Sequence, residues 1–362
     1  MLCLLPLLQA AGCRLRAAAP GEGALADALL RQGVKVLPIT LHDAAGTRLP
    51  LEHCRSELAD LLRQSRPGLL HANSLSMARL SGPVAADLGL PSVGHIRDIV
   101  GLSRRAVEDV NRHAALLAVS HAARDFHIAQ GVDAQRVSVL YNGVDLELFR
   151  PRAATGFLHR ELNLPPETQL LATIGQIGPR KGLDLLLLAM QRVVGHWPEA
   201  HLLMIGERLS GKHEGREFES ALHSMARETS LAGRIHFLGW RTDIPTVLPE
   251  LELLVHPARQ EPLGRVLLEA AACGCCVVAT QVGGTVEIFA GTQRGVTLVA
   301  SDNPQAMADA ILGFRNLDRV KLQRGNRLRI EQRFGQDVAS RGLMSHWNRA
   351  INSRSHQTSE SL

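Results

Sequence analysis

The chain has 362 residues, of which 45% are hydrophobic, and its mean hydropathy is near zero, at +0.01. This length and balance are typical of two globular domains, and no apolar run approaches the roughly 20 residues that span a bilayer. The 40 basic side chains stand against 35 acidic ones, so charge gives no indication of nucleic-acid binding. The small positive excess suits phosphorylated substrates or contact with an anionic membrane surface.

The first apolar segment, 2–11, is followed by Gly12. A signal peptide has basic residues before its apolar segment, and this chain has none there, so the segment is not interpreted as a signal peptide. We expect it to be the back half of an amphipathic helix that ends at Gly12, with a strand over 14–18. The six cysteines form no CxxC pair and have no histidine at zinc-finger spacing, so they predict neither a zinc site nor a disulfide framework. These features together predict a cytoplasmic protein with reduced thiols.

Apolar strand-like runs alternate with helix-length segments along the chain. The runs are 34–39, 69–71, 92–96, 116–120 and 137–141 in the first half, then 170–174, 201–205, 235–238, 253–256, 277–280 and 296–299. This alternation predicts an α/β fold made of two doubly wound parallel sheets in tandem. Ligands bind such sheets at the carboxyl ends of the strands, so we expect a site in a cleft between two facing units.

The two halves meet in the segment 137–151, where an Asn-Gly turn and a closing proline follow a strand. We therefore predict a first domain over 1–150 and a second over 151–336. A polar helix over 337–352 follows. The last segment, 353–362, is rich in serine and poor in apolar residues, and we expect it to be disordered.

Two carboxylates, Glu261 and Glu269, lie eight positions apart across a Pro-Gly turn that follows the apolar run 253–255. The pattern predicts a strand-to-helix junction with Glu261 in the loop and Glu269 on the helix. Amides at such a helix start bind anions, and carboxylates bind hydroxyls, so a nucleotide sugar would suit this pair. The structural alternative is that both acids lie on a solvated helix surface.

A second candidate segment, 175–182, reads Gly-Gln-Ile-Gly-Pro-Arg-Lys-Gly and follows the predicted strand 170–174. Its two cations would stabilise the negative charge that develops on a departing diphosphate. A third segment, 206–213, has the GxxxxGK spacing of a P-loop. It ends in histidine where a P-loop has the serine or threonine that binds magnesium, so an ATPase or kinase is not favoured.

These segments together resemble family 4 of the retaining glycosyltransferases, which have the GT-B architecture of two Rossmann-like domains. The resemblance rests on the Glu261-to-Glu269 motif with the Gly283-Gly284 turn after it, on the segment 175–182, and on the linker that begins at Asn142. It implies transfer of a sugar from a nucleoside diphosphate sugar to a sugar or lipid-linked sugar acceptor, without a metal ion or other cofactor. It also implies that the helix 337–352 crosses back onto the first domain, and that the setting is polysaccharide, lipopolysaccharide or glycolipid synthesis.

The resemblance also assigns roles to individual residues. Glu261 would hold the sugar, which His95 would orient from the first domain, while Trp240 would stack on the base or pack. His71 and Ser120 match family positions at strand ends with weaker claims on function. The residues assigned to donor binding are Gly175, Arg180, Lys181, Gly206, Leu238, Gly264, Arg265, Val266 and Glu269.

The sequence departs from the family pattern at two places. Gln176 stands where the family has an arginine, and Arg180 would compensate for it. Family members open with a strand and a Gly-rich loop, whereas residues 1–12 match only the end of the helix that follows, so the resemblance predicts that this strand and loop are missing. A second hypothesis is therefore a non-catalytic nucleotide- or glycan-binding partner subunit. A dehydrogenase is disfavoured because no GxGxxG follows an early strand with an acid about 20 residues on.

Overall fold

The computed structural model describes residues 2–209, 211–291, 295–317 and 319–359, and it divides into two compact units. The first unit runs to Gly143 and takes in the segment from Gln336 onward, and the second unit spans Val144–Gly335. The first boundary therefore follows the Asn142-Gly143 turn directly, a few residues before the expected position.

The first unit contains six parallel strands in two sheets, one with the order β1-β2 and one with the order β3-β4-β5-β6. The strands are β1 (Arg16–Ala19), β2 (Lys35–Pro38), β3 (Leu70–Ala72), β4 (Ser92–Ile96), β5 (Ala115–Ala118) and β6 (Val137–Val139). The helices between them are α1 (Leu5–Ala10), α2 (Ala24–Arg31), α3 (Leu51–Ser65), α4 (Leu75–Asp87), α5 (Arg104–Asn111) and α6 (His121–Ile128).

Serine caps start three of these helices directly after strands or loops. The hydroxyls of Ser74, Ser103 and Ser120 each accept the amide N–H of the residue three positions on, which satisfies one of the free donors of a helix start. Ser120, which sequence similarity brought forward for function, therefore has this structural role. Gly82 lets α4 lie against α5, because a Cβ at Gly82 would be 2.1 Å from the carbonyl oxygen of Asp109.

The second unit has one six-stranded parallel sheet with the order β12-β11-β10-β7-β8-β9. Its strands are β7 (Gln169–Ile174), β8 (Ala200–Ile205), β9 (Ile235–Gly239), β10 (Leu253–His256), β11 (Val277–Thr280) and β12 (Val296–Val299). Its helices are α7 (Phe157–Glu161), α8 (Leu183–His196), α9 (His213–Ala226), α10 (Ile244–Val247), α11 (Arg265–Ala272), α12 (Gly284–Phe289), α13 (Pro304–Leu312) and α14 (Arg319–Phe334). The predicted α/β class with parallel, doubly wound sheets is confirmed.

The last helix, α15 (Gln336–Ser359), packs on the first unit, where Ala339, Leu343 and Ala350 join the core around Val93. Helix α15 continues through Ser359, into the segment 353–362 for which the sequence predicts disorder. Neither proline nor glycine occurs in this polar stretch to stop the helix. The remaining positions, 360–362, lie outside the described residues.

Candidate functional site

The candidate site of the second unit lies where its sheet changes direction. β7 and β10 are neighbours, but the sheet continues from β7 to β8 and β9, and from β10 to β11 and β12. The connections that leave these two strands therefore pass to opposite faces of the sheet and leave a crevice between them at the carboxyl edge, which is where open α/β sheets bind ligands. The segments that contain Lys181 and Glu261 both begin at this switch point.

The loop after β7 is shaped by glycines at positions where a side chain would be strained or would clash. Gly175 and Gly206 have φ angles of +152° and +137°. A Cβ at Gly206 would be 1.9 Å from the carbonyl oxygen of Gly175, and one at Gly182 would be 2.0 Å from that of Pro257. These contacts bring the ends of β7, β8 and β10 together, and glycine is the residue that tolerates such positive φ angles.

Arg259, which the sequence analysis did not identify, fixes the turn that carries the two cations. Its backbone N–H donates to the carbonyl oxygen of Arg180 at 2.9 Å, and its guanidinium donates to the carbonyl oxygen of Pro179 at 2.9 Å. The same guanidinium binds both carboxylate oxygens of Asp184, each at 2.8 Å. A bidentate pair of this kind holds a fixed geometry, so the short 3-10 turn Pro179–Lys181 is anchored to the loop after β10.

Lys181 forms a cluster with the buried side chains of His256 and Glu261 at the switch point. Lys181 Nζ donates to Glu261 Oε2 at 2.5 Å, and His256 Nε2 donates to the same oxygen at 2.9 Å. The side chains of Glu261 and His256 are 8% and 3% exposed, and that of Lys181 is 14% exposed. Lys181 and His256 also line a small cavity with Thr173 and Met204.

The protonation states of this cluster follow from burial and contacts. Burial raises the pKa of Glu261, but the hydrogen bond from His256 and the charge of Lys181 outweigh it and hold that pKa well below its ordinary value. Burial lowers the pKa of His256 more than Glu261 raises it. The carboxylate is therefore ionised, and His256 is a neutral imidazole that carries its hydrogen on Nε2.

The predicted Gly283-Gly284 turn contacts the backbone of Glu261. The amide of Gly284 donates to the carbonyl oxygen of Glu261 at 3.0 Å. A Cβ at Gly283 would be 2.0 Å from that same oxygen, and one at Gly284 would be 2.5 Å from the carbonyl oxygen of Pro262. Any side chain at these positions would displace the Glu261 segment from the sheet edge.

Helix α11 begins at this turn with Gly264 as its N-cap, at a φ angle of +97°. The first amides of a helix have no partner within the helix, and Gly264, Arg265 and Val266 supply them here. Glu269 lies one turn further, with 15% of its side chain exposed, and its Oε1 accepts a hydrogen bond from Arg265 Nη2 at 3.3 Å. Burial raises the pKa of Glu269, and Arg265 opposes that shift.

Trp240 lies on the far side of the loop after β7, directly after β9. Its backbone N–H donates to Glu207 Oε1 at 3.2 Å, and the amide of Gly206 donates to the carbonyl oxygen of Gly239 at 2.8 Å. Trp240 is 66% exposed, whereas Leu238 within the strand is half-buried. This exposure argues against the alternative of a packing role for the indole, and stacking on a ligand stays a prediction.

His95 of the first unit packs against His71, which in turn contacts Trp347. The sequence patterns did not indicate Trp347. His95 is 5% exposed, and neither of its ring nitrogens has a hydrogen-bond partner among the described residues. The rings of His71 and His95 are 5.5 Å apart, and Trp347 Nε1 donates to His71 Nδ1 at 3.0 Å. Burial lowers the pKa of His71 to about 3 and that of His95 well below its ordinary value, with Arg97 adding to both shifts. Both imidazoles are therefore neutral.

None of the described helices is long and apolar enough to cross a membrane. No group of three or more histidine, cysteine, aspartate or glutamate side chains that could hold a metal ion lies among the described residues either.

Comparison with protein families matches both units. Residues 2–148 match the model described as Glycosyltransferase Family 4, and residues 155–327 match the one described as Glycosyl transferases group 1. The chain belongs to glycosyltransferase family 4. The expectation from the sequence motifs is confirmed for the family.

The curated relatives of the chain are sugar transferases by name. The lipopolysaccharide core biosynthesis mannosyltransferase of Rhizobium meliloti is 33% identical over 186 residues, which are 51% of this chain and 52% of that protein. The D-inositol 3-phosphate glycosyltransferase of Mycobacterium leprae is 29% identical over 289 residues, which are 76% of this chain and 61% of that protein. The chain thus spans about half to three fifths of the length of these relatives.

Solved structures show the fold of this family 4 chain. Anabaena HepE in complex with UDP-glucose has a TM-score of 0.82 at 24% identity, covering 95% of this chain and 94% of that one. Sucrose-phosphate synthase from Thermosynechococcus elongatus has a TM-score of 0.76 at 19% identity, covering 97% and 92%. These likenesses identify the fold as GT-B, as the sequence predicted.

Proposed function

We propose that the chain transfers a sugar, with retention of the anomeric configuration, from a nucleoside diphosphate sugar to an acceptor hydroxyl. The observation that carries this proposal is the cluster of Lys181, Glu261 and His256 at the switch point of the second unit. It combines a half-buried cation with a buried, ionised carboxylate. A donor with both a diphosphate and sugar hydroxyls would use both charges.

The diphosphate would bind at the turn that Arg259 anchors. Lys181 has three N–H donors and gives one of them to Glu261, so others remain for phosphate oxygens. Arg180 is exposed beside it and would supply the second cation in place of the arginine that Gln176 replaces. Fixed cations stabilise the charge that grows on the nucleotide as the sugar bond breaks, which is the main electrostatic requirement of this reaction.

The sugar and the nucleoside would lie on either side of the diphosphate. Glu261 and the first amides of α11 would bind sugar hydroxyls, and Glu269 would bind the ribose. Trp240 would stack on the base next to Leu238. Retention would follow if the acceptor hydroxyl attacks from the face that the nucleotide leaves and the departing phosphate takes its proton, as the family resemblance implies.

The names of the relatives support the substrate classes. The Anabaena structures contain UDP and UDP-glucose, and the relatives include a mannosyltransferase of lipopolysaccharide core biosynthesis and inositol phosphate glycosyltransferases. We propose that the acceptor is a sugar, a lipid-linked sugar or another polyol in the synthesis of a surface polysaccharide, lipopolysaccharide or glycolipid. Reaching a lipid-linked acceptor would require peripheral contact with a membrane surface.

A donor screen tests the proposal. Purified chain is incubated with UDP-glucose, UDP-N-acetylglucosamine or GDP-mannose and with simple glycoside or inositol phosphate acceptors, and NMR of the product reads the anomeric configuration. Release of nucleoside diphosphate with a product of the donor's own configuration supports the proposal, and an inverted product contradicts it. Calorimetric binding of UDP or GDP without turnover on any acceptor would favour the partner-subunit hypothesis, for which Gln176 is the motivating residue.

A further inference from the structure

The two carboxylate oxygens of Glu261 are used unequally. Oε2 accepts both hydrogen bonds, from Lys181 at 2.5 Å and from His256 at 2.9 Å. Oε1 accepts no hydrogen bond from the described residues, and this oxygen is not fully buried. One oxygen is therefore anchored in the protein, and the other is accessible to a ligand.

His256 and Lys181 differ in how firmly they can hold Oε2. Lys181 is a flexible side chain whose charge would be drawn to an incoming diphosphate, so its contact with Glu261 would change when a donor binds. His256 lies at the end of the buried strand β10, between β7 and β11, and has one directional N–H toward the carboxylate. The charged groups that face His256 are Glu261 of its own loop, then Lys181 and Arg180 of the turn after β7.

We propose that His256 is a positioning residue that holds Oε2 of Glu261 and thereby directs Oε1 toward the sugar of the donor. The inference rests on the proposed function, since it assigns to Glu261 a sugar hydroxyl as partner. The imidazole does not touch the donor in this role. It holds the carboxylate of Glu261 in one orientation while Lys181 binds the diphosphate. His256 therefore contributes to recognition of the sugar but not of the nucleotide.

The experiment separates those two parts of the ligand. His256→Leu removes the N–H donor, His256→Gln keeps an N–H at nearly the same reach, and His256→Asn keeps an amide that is too short to reach Glu261. Calorimetry measures binding of UDP and GDP alone and of UDP-glucose and GDP-mannose, and turnover is measured with whichever donor the unaltered chain uses. His201→Gln, a half-buried histidine on β8 outside the site, is the matched control.

We expect His256→Leu and His256→Asn to bind the free nucleoside diphosphate as the unaltered chain does, but to lose its extra affinity for the nucleotide sugar. Turnover should fall on the order of 100-fold, as for a misplaced catalytic contact, and His256→Gln should recover most of it. Leu and Asn variants that turn over like the unaltered chain, or a Gln variant as poor as Asn, would overturn the inference while leaving the proposed function intact. Equal losses for nucleotide and nucleotide sugar would overturn it as well. An unaltered chain that binds none of the four ligands would overturn both.

Discussion

Gly206 lies against Gly175 so closely that a Cβ at Gly206 would stand 1.9 Å from the carbonyl oxygen of Gly175. This contact joins the carboxyl ends of β7 and β8 and sets the course of the loop that leads to Lys181. Because the φ angle of Gly206 is +137° as well, a side chain there meets both backbone strain and a steric clash.

Gly206→Ala should therefore destabilise the second unit by about 2 kcal/mol or more, since strain and clash add. Urea unfolding followed by circular dichroism measures this change. Gly195→Ala in α8 is the matched control, because a Cβ there meets nothing within 4 Å and alanine favours a helix by roughly 0.5–1 kcal/mol. A Gly206→Ala variant as stable as the control would refute the close contact.

Lys181→Met should weaken binding of UDP or GDP, because it removes a half-buried cation from the proposed diphosphate position and leaves Glu261 with His256 alone. The loss expected for one charge-assisted contact is about 1.5–3 kcal/mol, or roughly 10- to 100-fold in affinity. Calorimetry with the free nucleotides measures it. Lys35→Met, at an exposed position on β2 of the first unit, should bind them unchanged. Equal affinities for the two variants would place the diphosphate elsewhere.

Glu269→Ala should abolish donor hydrolysis and transfer, because the ribose would lose its carboxylate partner while the helix start remains. The measurement is release of nucleoside diphosphate in a coupled assay, with the melting temperature as a check on folding. Glu214→Ala, at an exposed position in the first turn of α9, is the control. Turnover by Glu269→Ala at the level of that control would count against the assigned role.

His113 should make stability fall with acid. It is fully buried, its Nε2–H donates to the carbonyl oxygen of Ala78, and its Nδ1 accepts from the hydroxyl of Ser92. Burial lowers its pKa to about 4. As the pH falls below 6.5, His113 is therefore protonated in the unfolded chain but stays neutral in the folded chain. This stability is fully present above pH 6.5 and is lost as the pH falls toward 4.

His113→Gln tests this relation, because an amide can keep both hydrogen bonds but does not titrate. Between pH 7 and pH 5 the unaltered chain should lose about 2 kcal/mol more than the variant in the free energy of unfolding. Urea unfolding at a series of pH values gives both slopes. Parallel slopes would show that His113 is not the titrating group.

Trp347→Phe should release His71 from its fixed tautomer. In the structure the indole N–H of Trp347 donates a hydrogen bond to His71 Nδ1. The neutral imidazole of His71 therefore carries its hydrogen on Nε2. Removing one such hydrogen bond should cost about 1 kcal/mol, and the nitrogen chemical shifts of His71 should move toward a mixture of tautomers. Unchanged shifts in the variant would mean that another contact fixes the ring.

Much of the fold and part of the site could be predicted from the sequence. Buried parallel strands read as uninterrupted apolar runs, which is why β10 and β11 lie where the sequence placed them. The contact of His256 with Glu261 could not be predicted, because the four loop residues 257–260 lie between them and the contact depends on how this loop folds. Trp347 and His71 are 276 positions apart, and no local pattern indicates such a pair. Arg259 was missed because an arginine after a strand is usually a solvated side chain.

A crystal structure of the chain with UDP-glucose or GDP-mannose tests the proposed donor site most directly. We expect the diphosphate to lie within hydrogen-bond distance of Lys181 Nζ and Glu261 Oε1 to contact a hydroxyl of the sugar. A nucleotide sugar bound away from the switch point between β7 and β10, with Lys181 and Glu261 untouched, would contradict it.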